Sequence, residues 1–480
     1  MIIRHSLFYL AANGLPAIIN FVALALYTRW LNPEQYGTYA LTIASIGISN
    51  TICFWWLRLG LLRMLPAYGS ERGKFLSTLV ACFLMLVSIT SCFGLALAWM
   101  VDDTNFRWLI VLSTILLGAQ AWFELNLELL RSELSPTSYG VYSLTRAIIC
   151  LAFGGLFVWN GMGAEGLLTG TIVGVCVSIA PLTYRAWRGV SRTMLDTSLI
   201  FQLLAFGAPL AMKFALDLIA NFAGRFFLAA LVAAEAAGLY SASYDLAQQT
   251  IGVIITIIYL AAYPLIVRAL DGEGIDAARK KLSEYCTLLL VVICPSIVGF
   301  SLLSENIAQI FFVKDFYVTA VEILPWLALS AFFAGVKTHY FDLGFQLARE
   351  TKPQILVSAA SAGTSVMLNL LLVPIYGIMG AILATITANL IGLFLSWIVG
   401  RNRFGLPRPN ADDAKVIVAT LVMTMALWPF LNSMGVVSLV AKVMGGLAVY
   451  GTLIVSMNVL GLRLICSNKL RDLNRRSKSW

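Results

Sequence analysis

Long apolar runs recur from one end of the chain to the other, and they limit the fold more than any other feature of the sequence. A helix needs about twenty apolar residues to cross the hydrocarbon core of a bilayer. The segment TLVACFLMLVSITSCFGLALAW reaches that length without a charge. Charged residues make up only 12% of the chain, against about 25% in soluble domains. The sequence therefore predicts an all-α polytopic membrane protein.

We identify fourteen such runs and predict a transmembrane helix for each. The predicted helices cover residues 7–30, 37–57, 77–100, 108–126, 139–160, 164–184, 201–231, 239–264, 284–304, 322–345, 354–374, 378–399, 415–431 and 436–460. The first run lacks a small-residue cleavage site and is longer than the apolar core of a signal peptide, so we expect it to be retained.

The basic residues are distributed unequally between the predicted loops. If the chain starts in the cytoplasm, most of the 33 lysine and arginine residues fall in cytoplasmic loops or in the C-terminal tail. Those on the opposite side are Arg29, Arg107, Lys314 and Lys442. This asymmetry follows the positive-inside rule and predicts that both termini are cytoplasmic. The net charge of +9 then reflects membrane topology and does not indicate binding of nucleic acid.

Cysteine and histidine are too sparse and too poorly spaced to predict a metal centre or a disulfide framework. The eight cysteines include no C-x-x-C pair, and the chain has two histidines. The sequence also lacks a GxxxxGK[ST] loop for nucleotide phosphates. We therefore expect no metal, no cofactor and no intrinsic hydrolysis of ATP.

Two pairs of motifs indicate an internal duplication. NPEQYGTYA at 32–40 and AAEAAGLYS at 233–241 share the pattern E-x-x-G-x-Y, each in a short loop on the far side of the membrane. GAEGLLTGT at 163–171 and GIMGAILAT at 377–385 form the second pair. Because the first and seventh predicted helices start from the same side, the repeat is parallel, and transporters with such repeats place their substrate between the halves.

The duplication predicts an architecture of two pseudo-symmetric six-helix lobes around a central cavity. Residues 1–200 form the N-lobe with helices 1–6, and residues 201–400 form the C-lobe with helices 7–12. Residues 401–480 hold helices 13 and 14 and a basic cytoplasmic tail.

Three longer segments resemble a known family. They are ALYTRWLNPEQYGTYAL at 25–41, GRFFLAALVAAEAAGLYSASYDLA at 224–247 and LNLLLVPIYGIMGAILAT at 368–385. The sequence resembles the polysaccharide-biosynthesis oligosaccharide flippases of the multidrug/oligosaccharidyl-lipid/polysaccharide exporter superfamily, and the resemblance extends from helix 1 to helix 12. The segment FFVKDFYVTAVEILP departs from the family pattern because it lacks a glycine before the aspartate.

The resemblance implies a transport function. A flippase of this family moves undecaprenyl-pyrophosphate-linked oligosaccharide repeat units from the cytoplasmic to the periplasmic leaflet of the bacterial inner membrane, by alternating access. The units serve O-antigen, capsule or exopolysaccharide synthesis, and the partners implied are the lipid bilayer, a polysaccharide polymerase and chain-length proteins. Such a protein is not an enzyme.

Two other functions stay open at this point. A cation-coupled multidrug extruder of the same superfamily would favour carboxylates inside the membrane, whereas the predicted spans also carry lysine and arginine. A membrane polysaccharide polymerase or ligase would need catalytic carboxylates and histidines in a large far-side loop. The largest far-side loop, at 303–320, has the composition of a structural segment.

The strongest local signal is the segment KFALDLIANFAGR of helix 7. Lys213, Asp217, Asn221 and Arg225 recur every four residues and form one polar stripe on a helix. The two cations would attract a pyrophosphate, Arg225 as a bidentate fork and Lys213 as a point charge. Asp217 would keep the lysine charged, and Asn221 would bind sugar hydroxyls. The alternative is an internal Lys213–Asp217 pair that only neutralises itself.

Other ionisable residues within spans are weaker candidates. Arg146 either lines the cavity or extends to the cytoplasmic interface, and we expect Glu124 to pair with it across the loop 127–138. Asp245, like Asp217, is a candidate for coupling to a proton or a sodium ion, with a packing hydrogen bond as the alternative.

Four further residues of helices 2 and 10 carry specific expectations. Lys337 is a cavity candidate, and Asp342 follows five residues later, about 140° around an ideal helix, so the spacing does not imply one common face. Trp55 and Trp56, at the end of span 2, are expected to belong to an interfacial aromatic belt.

Overall fold

Helices make up almost all of the backbone in the computed structural model, which describes residues 2–187, 196–348, 350–405, 407 and 410–463. The helices, in chain order, are α1 (Ile2–Trp30), α2 (Pro33–Met64), α3 (Arg72–Met100), α4 (Thr104–Ser132), α5 (Pro136–Trp159), α6 (Gly163–Ala186), α7 (Thr197–Leu231), α8 (Ala234–Ala247), α9 (Val253–Glu273), α10 (Ile275–Leu302), α11 (Ser304–Phe311), α12 (Lys314–Val336), α13 (Leu343–Leu347), α14 (Lys352–Arg403), α15 (Ala411–Leu427) and α16 (Val436–Ser456). Short 3-10 turns occupy Leu65–Ala67, Gly69–Glu71, Trp428–Phe430 and Val459–Gly461, and π-helical turns occupy Gln248–Gly252 and Lys337–Phe341. No strand occurs within the described ranges.

Twelve helical stretches of the described chain are long and apolar enough to cross a membrane. One of them, Lys352–Arg401, contains two predicted spans, because the backbone turns at Gly377, where φ is 54° and ψ is −127°. Helix α1 covers the remaining predicted span, at 7–30. The prediction of an all-α polytopic membrane protein is confirmed, and the predicted break between the eleventh and twelfth spans falls at a left-handed glycine.

Polar caps fix the starts of two helices. At α2, the side chain of Asn32 accepts a hydrogen bond from the backbone N–H of Gln35, whose side chain accepts one from the backbone N–H of Asn32. At α7, Asp196 accepts from the backbone N–H of Ser198. Hydrogen bonds from the Ser198 side chain and from Lys74 lower the pKa of Asp196 to about 2. The cap of α7 therefore stays ionised at neutral pH.

One compact unit consists of Met1–Ala242 and Thr351–Ile391. Within it, α2 packs against α4 and α7, and α5 packs against α1 and α6. A glycine brings α2 and α7 together, because a Cβ on Gly207 would lie 2.6 Å from the backbone oxygen of Trp56. The buried core around this contact includes Phe54, Leu57, Leu61, Phe75, Leu79 and Leu203.

The second unit consists of Ser243–Glu350 and Gly392–Trp480. Within it, α10 packs against α9, α12 and α15, and α15 packs against α16. Its apolar cluster contains Val416, Ala419, Met423, Leu427, Tyr450, Ile454 and Val459. The boundaries of the two units differ from those of the lobes expected at 1–200 and 201–400. The division into lobes stays a prediction.

The second pair of duplicated motifs has matching local structure. Gly163 and Gly377 begin the two motifs with φ of 53° and 54°, in the left-handed region that glycine adopts without a steric penalty. Three residues later, Cβ atoms on Gly166 and Gly380 would lie 3.0 Å and 2.3 Å from backbone atoms of the preceding helix. The sequence repeat is therefore also a structural repeat.

The two motifs of the first duplicated pair contact each other. A Cβ on Gly37 would lie 2.1 Å from the backbone oxygen of Ala234, and a Cβ on Gly238 would lie 1.8 Å from the backbone oxygen of Pro33. Pro33 and Ala234 hold the same place in the two motifs, one helical turn before the glycine. The crossing of α2 and α8 is therefore reciprocal, as in a contact across a twofold axis.

Candidate functional site

The predicted polar stripe of α7 is organised around the carboxylate of Asp217. One of its oxygens lies 2.8 Å from Nζ of Lys213, and the other accepts a hydrogen bond of 2.8 Å from Oγ of Ser358 on α14. The lysine side chain is only 4% exposed and the aspartate side chain 16%. Each charge is thus largely removed from solvent and has an opposite charge beside it, which limits the cost of placing it inside a span.

The remaining stripe residues continue along the same helix. Asn221 donates a hydrogen bond of 2.8 Å to the backbone oxygen of Asp217. Its own side-chain oxygen is buried and accepts no hydrogen bond from the described residues. Arg225 is 4% exposed, and its guanidinium lies 4.8 Å from the ring centroid of Phe222. The stripe therefore presents two buried cations and an unused amide acceptor, and its role in binding stays a prediction.

A second polar stripe, on α14, faces α7 and escaped the sequence analysis. Ser358, Ser361, Ser365 and Asn369 are all buried and recur at intervals of three or four residues, which places them on one helix face. Ser365 donates a hydrogen bond of 2.7 Å to the backbone oxygen of Ala220 on α7. The spacing of the small polar residues is the signal that would have identified this face.

Glu124 pairs with Arg58, and the expected pair with Arg146 is wrong. One oxygen of Glu124 accepts hydrogen bonds from Arg58 and, at 2.7 Å, from Asn50, while Gln120 donates to the other oxygen. The physical reason is that α2 continues past the predicted end at residue 57, which places Arg58 inside the helix that packs on α4. The apolar letters LGLL after Arg58 were the missed signal.

Arg146 has an aromatic neighbour instead. Its guanidinium lies 5.0 Å from the ring centroid of Phe123 on α4, a cation–π contact between α5 and α4. A role of Arg146 in a substrate site stays a prediction.

An aromatic pair connects the Arg58 cluster to the α7 stripe. The guanidinium of Arg58 lies 4.3 Å from the Trp55 ring centroid, the Trp55 and Phe214 rings are 5.3 Å apart, and Lys213 Nζ lies 4.8 Å from the Phe214 ring. Trp56 is buried. The expected aromatic belt is therefore wrong for Trp56, because α7 packs over this end of α2, whereas Trp55 is only half-buried.

Lys337 and Asp342 form a buried ion pair. The spacing of five residues on an ideal helix does not imply this pair. Nζ of Lys337 lies 3.4 Å from one oxygen of Asp342, and Ser396 donates a hydrogen bond of 2.7 Å to the other. The cause is the π-helical turn Lys337–Phe341, in which the backbone N–H of residue i+5 bonds to residue i. This turn brings positions five apart onto one face.

Neutralising only one member of this pair is expected to destabilise the protein strongly. Lys337→Met leaves the carboxylate of Asp342, which is 0% exposed, without its lysine, and breaking a buried pair costs about 3–5 kcal/mol. We expect a lower thermal midpoint of the detergent-solubilised protein, measured by size-exclusion chromatography after heating. The double variant Lys337→Met/Asp342→Asn should recover most of the loss, and equal midpoints for all three proteins would contradict the pairing.

Asp245 lies half-buried on α8, one turn before the π-helical turn Gln248–Gly252. Gln248 in that turn donates a hydrogen bond of 3.1 Å to the hydroxyl of Tyr244. The role of Asp245 in ion coupling stays a prediction. Among the described residues, no cluster of three or more histidine, cysteine or acidic side chains is arranged to hold a metal ion.

Comparison with known proteins finds a family and relatives that are named for polysaccharide biosynthesis or glycan transport. The family described as polysaccharide biosynthesis protein matches residues 26–321, which is more than half of the chain. A Shigella flexneri protein named for O-antigen transport is 22% identical over 419 residues, covering 83% of this chain and 98% of the relative. A Haloferax volcanii protein named for low-salt glycan flipping, Agl15, is 22% identical over 464 residues, covering 94% and 95%.

The fold matches that of a solved transporter. The structure of the lipid II flippase MurJ in an inward closed conformation aligns with a TM-score of 0.77, covering 96% of this chain and 100% of that chain. Sequence identity in this alignment is 13%, so the likeness concerns the fold.

Proposed function

The chain belongs to the polysaccharide biosynthesis protein family, a group of membrane transporters within the multidrug/oligosaccharidyl-lipid/polysaccharide exporter superfamily, and we propose that it flips a lipid-linked oligosaccharide across the bacterial inner membrane. The cargo is an undecaprenyl-pyrophosphate-linked repeat unit that moves from the cytoplasmic to the periplasmic leaflet. The protein acts by alternating access, with both termini in the cytoplasm, and catalyses no covalent step.

The polar stripe of α7 is the observation that supports an anionic cargo. Lys213 and Arg225 lie inside a membrane-spanning helix and are each 3–4% exposed, a costly arrangement that usually marks a functional site. A pyrophosphate offers several oxygens, which suit both the fork of an arginine and the point charge of a lysine. A carrier of cationic drugs would gain nothing from these two positive charges.

Asp217 forms an ion pair with Lys213 that the pyrophosphate of the cargo can replace. When the pyrophosphate binds Lys213, the carboxylate of Asp217 keeps its hydrogen bond from Ser358 and gives up the ion pair. An ionised carboxylate without its lysine is then available to bind a proton or a sodium ion, and this exchange would couple release of the cargo to entry of a cation. Asp245 is the second candidate for such coupling.

A change at Ser358 tests this exchange. Ser358→Ala removes the hydrogen bond that orients Asp217 and leaves the Lys213–Asp217 pair in place. Loss of one hydrogen bond to a charged group costs about 1.5–3 kcal/mol, so we expect transport to fall by about tenfold or more at unchanged protein amount. Ser361, one turn away, donates to the backbone oxygen of Ala388 instead, and Ser361→Ala serves as the matched control. Equal transport by the two variants would contradict the role of Ser358.

Deletion of the gene in its host is the direct test of the function. Mass spectrometry of undecaprenyl-pyrophosphate-linked glycans, with and without periplasmic glycosidase, separates the two leaflets. A complete repeat unit that accumulates and is protected from the periplasm supports the flippase and identifies its cargo. No accumulation, with unchanged surface polysaccharide and increased drug sensitivity, would favour a multidrug extruder. Accumulation of unpolymerised units exposed to the periplasm would indicate a polymerase or ligase.

Polysaccharide polymerase and chain-length proteins are the partners that this function would require downstream. A repeat unit delivered to the periplasmic leaflet must be consumed there by a polymerising reaction, because the carrier lipid has to be recycled.

A further inference from the structure

Three aromatic rings form a row in the second unit. Tyr259 and Tyr263 lie one turn apart on α9 with ring centroids separated by 5.3 Å and planes inclined by 32°. The Tyr259 ring also lies 4.8 Å from the ring of His339, in the π-helical turn between α12 and α13. All three side chains are half-buried. We call Tyr263, Tyr259 and His339 the aromatic ladder.

Hydrogen bonds hold the ladder in place. The hydroxyl of Tyr259 donates to Oε1 of Gln346 at 3.3 Å, and the hydroxyl of Tyr285 donates to the backbone oxygen of His339 at 3.1 Å. The π-helical turn itself is a local departure from regular geometry of the kind that occurs frequently at functional sites. The Tyr259 ring and the backbone at His339 are thus held in place before any ligand arrives, which reduces the entropy lost on binding.

An open cavity of about 580 Å³ on the surface of α9 adjoins the Tyr263 end of the ladder. Its lining is Tyr263, Pro264, Val267, Arg268, Asp271 and Gly272. The volume is within the range of small-molecule sites, which combine apolar and aromatic walls with a few polar groups. Arg268 and Asp271 are both exposed and provide those groups, one of each charge.

The chemistry of the ladder and the cavity matches a sugar phosphate. Aromatic faces pack on the C–H faces of a pyranose, tyrosine hydroxyls and amides bind hydroxyl groups, and Asp271 accepts hydrogen bonds from them. Arg268 offers a bidentate fork to a phosphate. The positive-inside distribution predicts that the Arg268 end of α9 is cytoplasmic, the side from which the cargo is collected.

We propose that the aromatic ladder and its cavity are a collecting subsite that binds the first sugar and the phosphate of the lipid-linked cargo on the cytoplasmic side. The subsite rests on the proposed function, because it takes the same cargo.

Photocrosslinking in the host tests the subsite with the full chain. Tyr263→p-benzoylphenylalanine is compared with the same replacement of Leu265, which lies two residues away and is 61% exposed, in a strain lacking the native gene. After irradiation the purified protein is analysed by mass spectrometry for attached undecaprenyl-pyrophosphate glycan. We expect the glycan adduct at position 263 to exceed that at position 265 by about tenfold, the ratio that 1.4 kcal/mol of preference produces.

A third photoreactive position separates failure of the subsite from failure of the proposed function. Phe214→p-benzoylphenylalanine reports on the α7 stripe beside Lys213. A glycan adduct at 214 with none at 263 overturns the subsite and leaves the flippase intact. A phospholipid adduct at 263 without glycan overturns it as well, since the cavity then holds bilayer lipid. Absence of glycan from both positions, together with no glycan accumulation in the deletion strain, overturns the proposed function itself.

Replacing Tyr263 by phenylalanine and by alanine tests the subsite independently of crosslinking. Tyr263→Phe keeps the ring and should lose less transport than Tyr263→Ala, which removes the ring and should lower transport by about two- to tenfold. Both are measured as surface polysaccharide per molecule of protein in the membrane. Full transport by Tyr263→Ala would overturn the subsite.

Discussion

Replacing Lys213 and Arg225 together by methionine is expected to abolish delivery of polysaccharide to the cell surface. Methionine keeps a long, flexible apolar side chain at both positions, so the packing of α7 is largely preserved. Hydrogen bonds to charged groups contribute about 1.5–3 kcal/mol each, and losing one from each cation should weaken cargo binding by about 100-fold or more. The measurement is surface polysaccharide in the complemented deletion strain, normalised to the amount of protein in the membrane.

A further double variant separates cargo binding from simple charge neutralisation. Lys213→Met alone leaves Asp217 with its Ser358 contact but without the lysine at 2.8 Å. Lys213→Met/Asp217→Asn removes both charges and the buried imbalance. If the pair only neutralises itself, the double variant should recover both protein amount and transport. We expect it to recover protein amount alone, and recovered transport would contradict a role of Lys213 in holding the cargo.

Lys442 provides the matched control for loss of a buried lysine. It is also 4% exposed, but it lies in α16 and donates to Oδ1 of Asn306 and to the backbone oxygens of Leu431 and Ser433. Lys442→Met should lower the amount of folded protein, because it leaves polar acceptors without a donor. Transport per molecule should stay unchanged, since Asn306, Leu431 and Ser433 do not belong to the proposed substrate site on α7.

Local patterns in the sequence were sufficient to predict the helices and the stripe. The lengths of apolar runs determine where a chain can cross a bilayer, and the break at Gly377 follows from a residue that tolerates a left-handed backbone. The pairing of Lys213 with Asp217 likewise follows from helical spacing, because positions i and i+4 are neighbours on any regular helix. Such features need no information about which helices touch.

Contacts between distant helices, and departures from ideal geometry, could not be predicted in this way. Arg58 and Glu124 meet because α2 packs on α4, and no short-range pattern records that neighbour relation. Lys337 and Asp342 meet only because the intervening turn is π-helical. No local sequence pattern predicts this turn. For Glu124 the error lay in the partner assigned to it, and for Lys337 and Asp342 it lay in the assumption of ideal helix geometry.

Adding a single methyl group at either glycine of the repeated E-x-x-G-x-Y motifs is expected to force α2 and α8 apart. The obstacle at each position is a backbone oxygen, 2.1 Å from a Cβ on Gly37 and 1.8 Å from a Cβ on Gly238, so no side-chain rotation relieves the overlap. Overpacking costs about 1–3 kcal/mol per site, and Gly37→Ala and Gly238→Ala should each lower the thermal midpoint by about 1–3 °C, because the shift per kcal/mol falls as the chain becomes longer. Gly47→Ala is the control, because Gly47 lies in α2 with nothing within 4 Å of its Cβ position.

The combined variant decides whether the two glycines serve one contact. Once Gly37→Ala has separated the helices, a second methyl at Gly238 enters space that is already open, so the double variant should lose clearly less than the sum of the two single losses. Residues that share a contact show such coupling, whereas independent sites add within about 0.5 kcal/mol. Additive losses would mean that the two motifs act separately and that the reciprocal crossing does not hold α2 against α8. Coupled losses would establish that the two copies of the duplicated motif form one shared contact between α2 and α8.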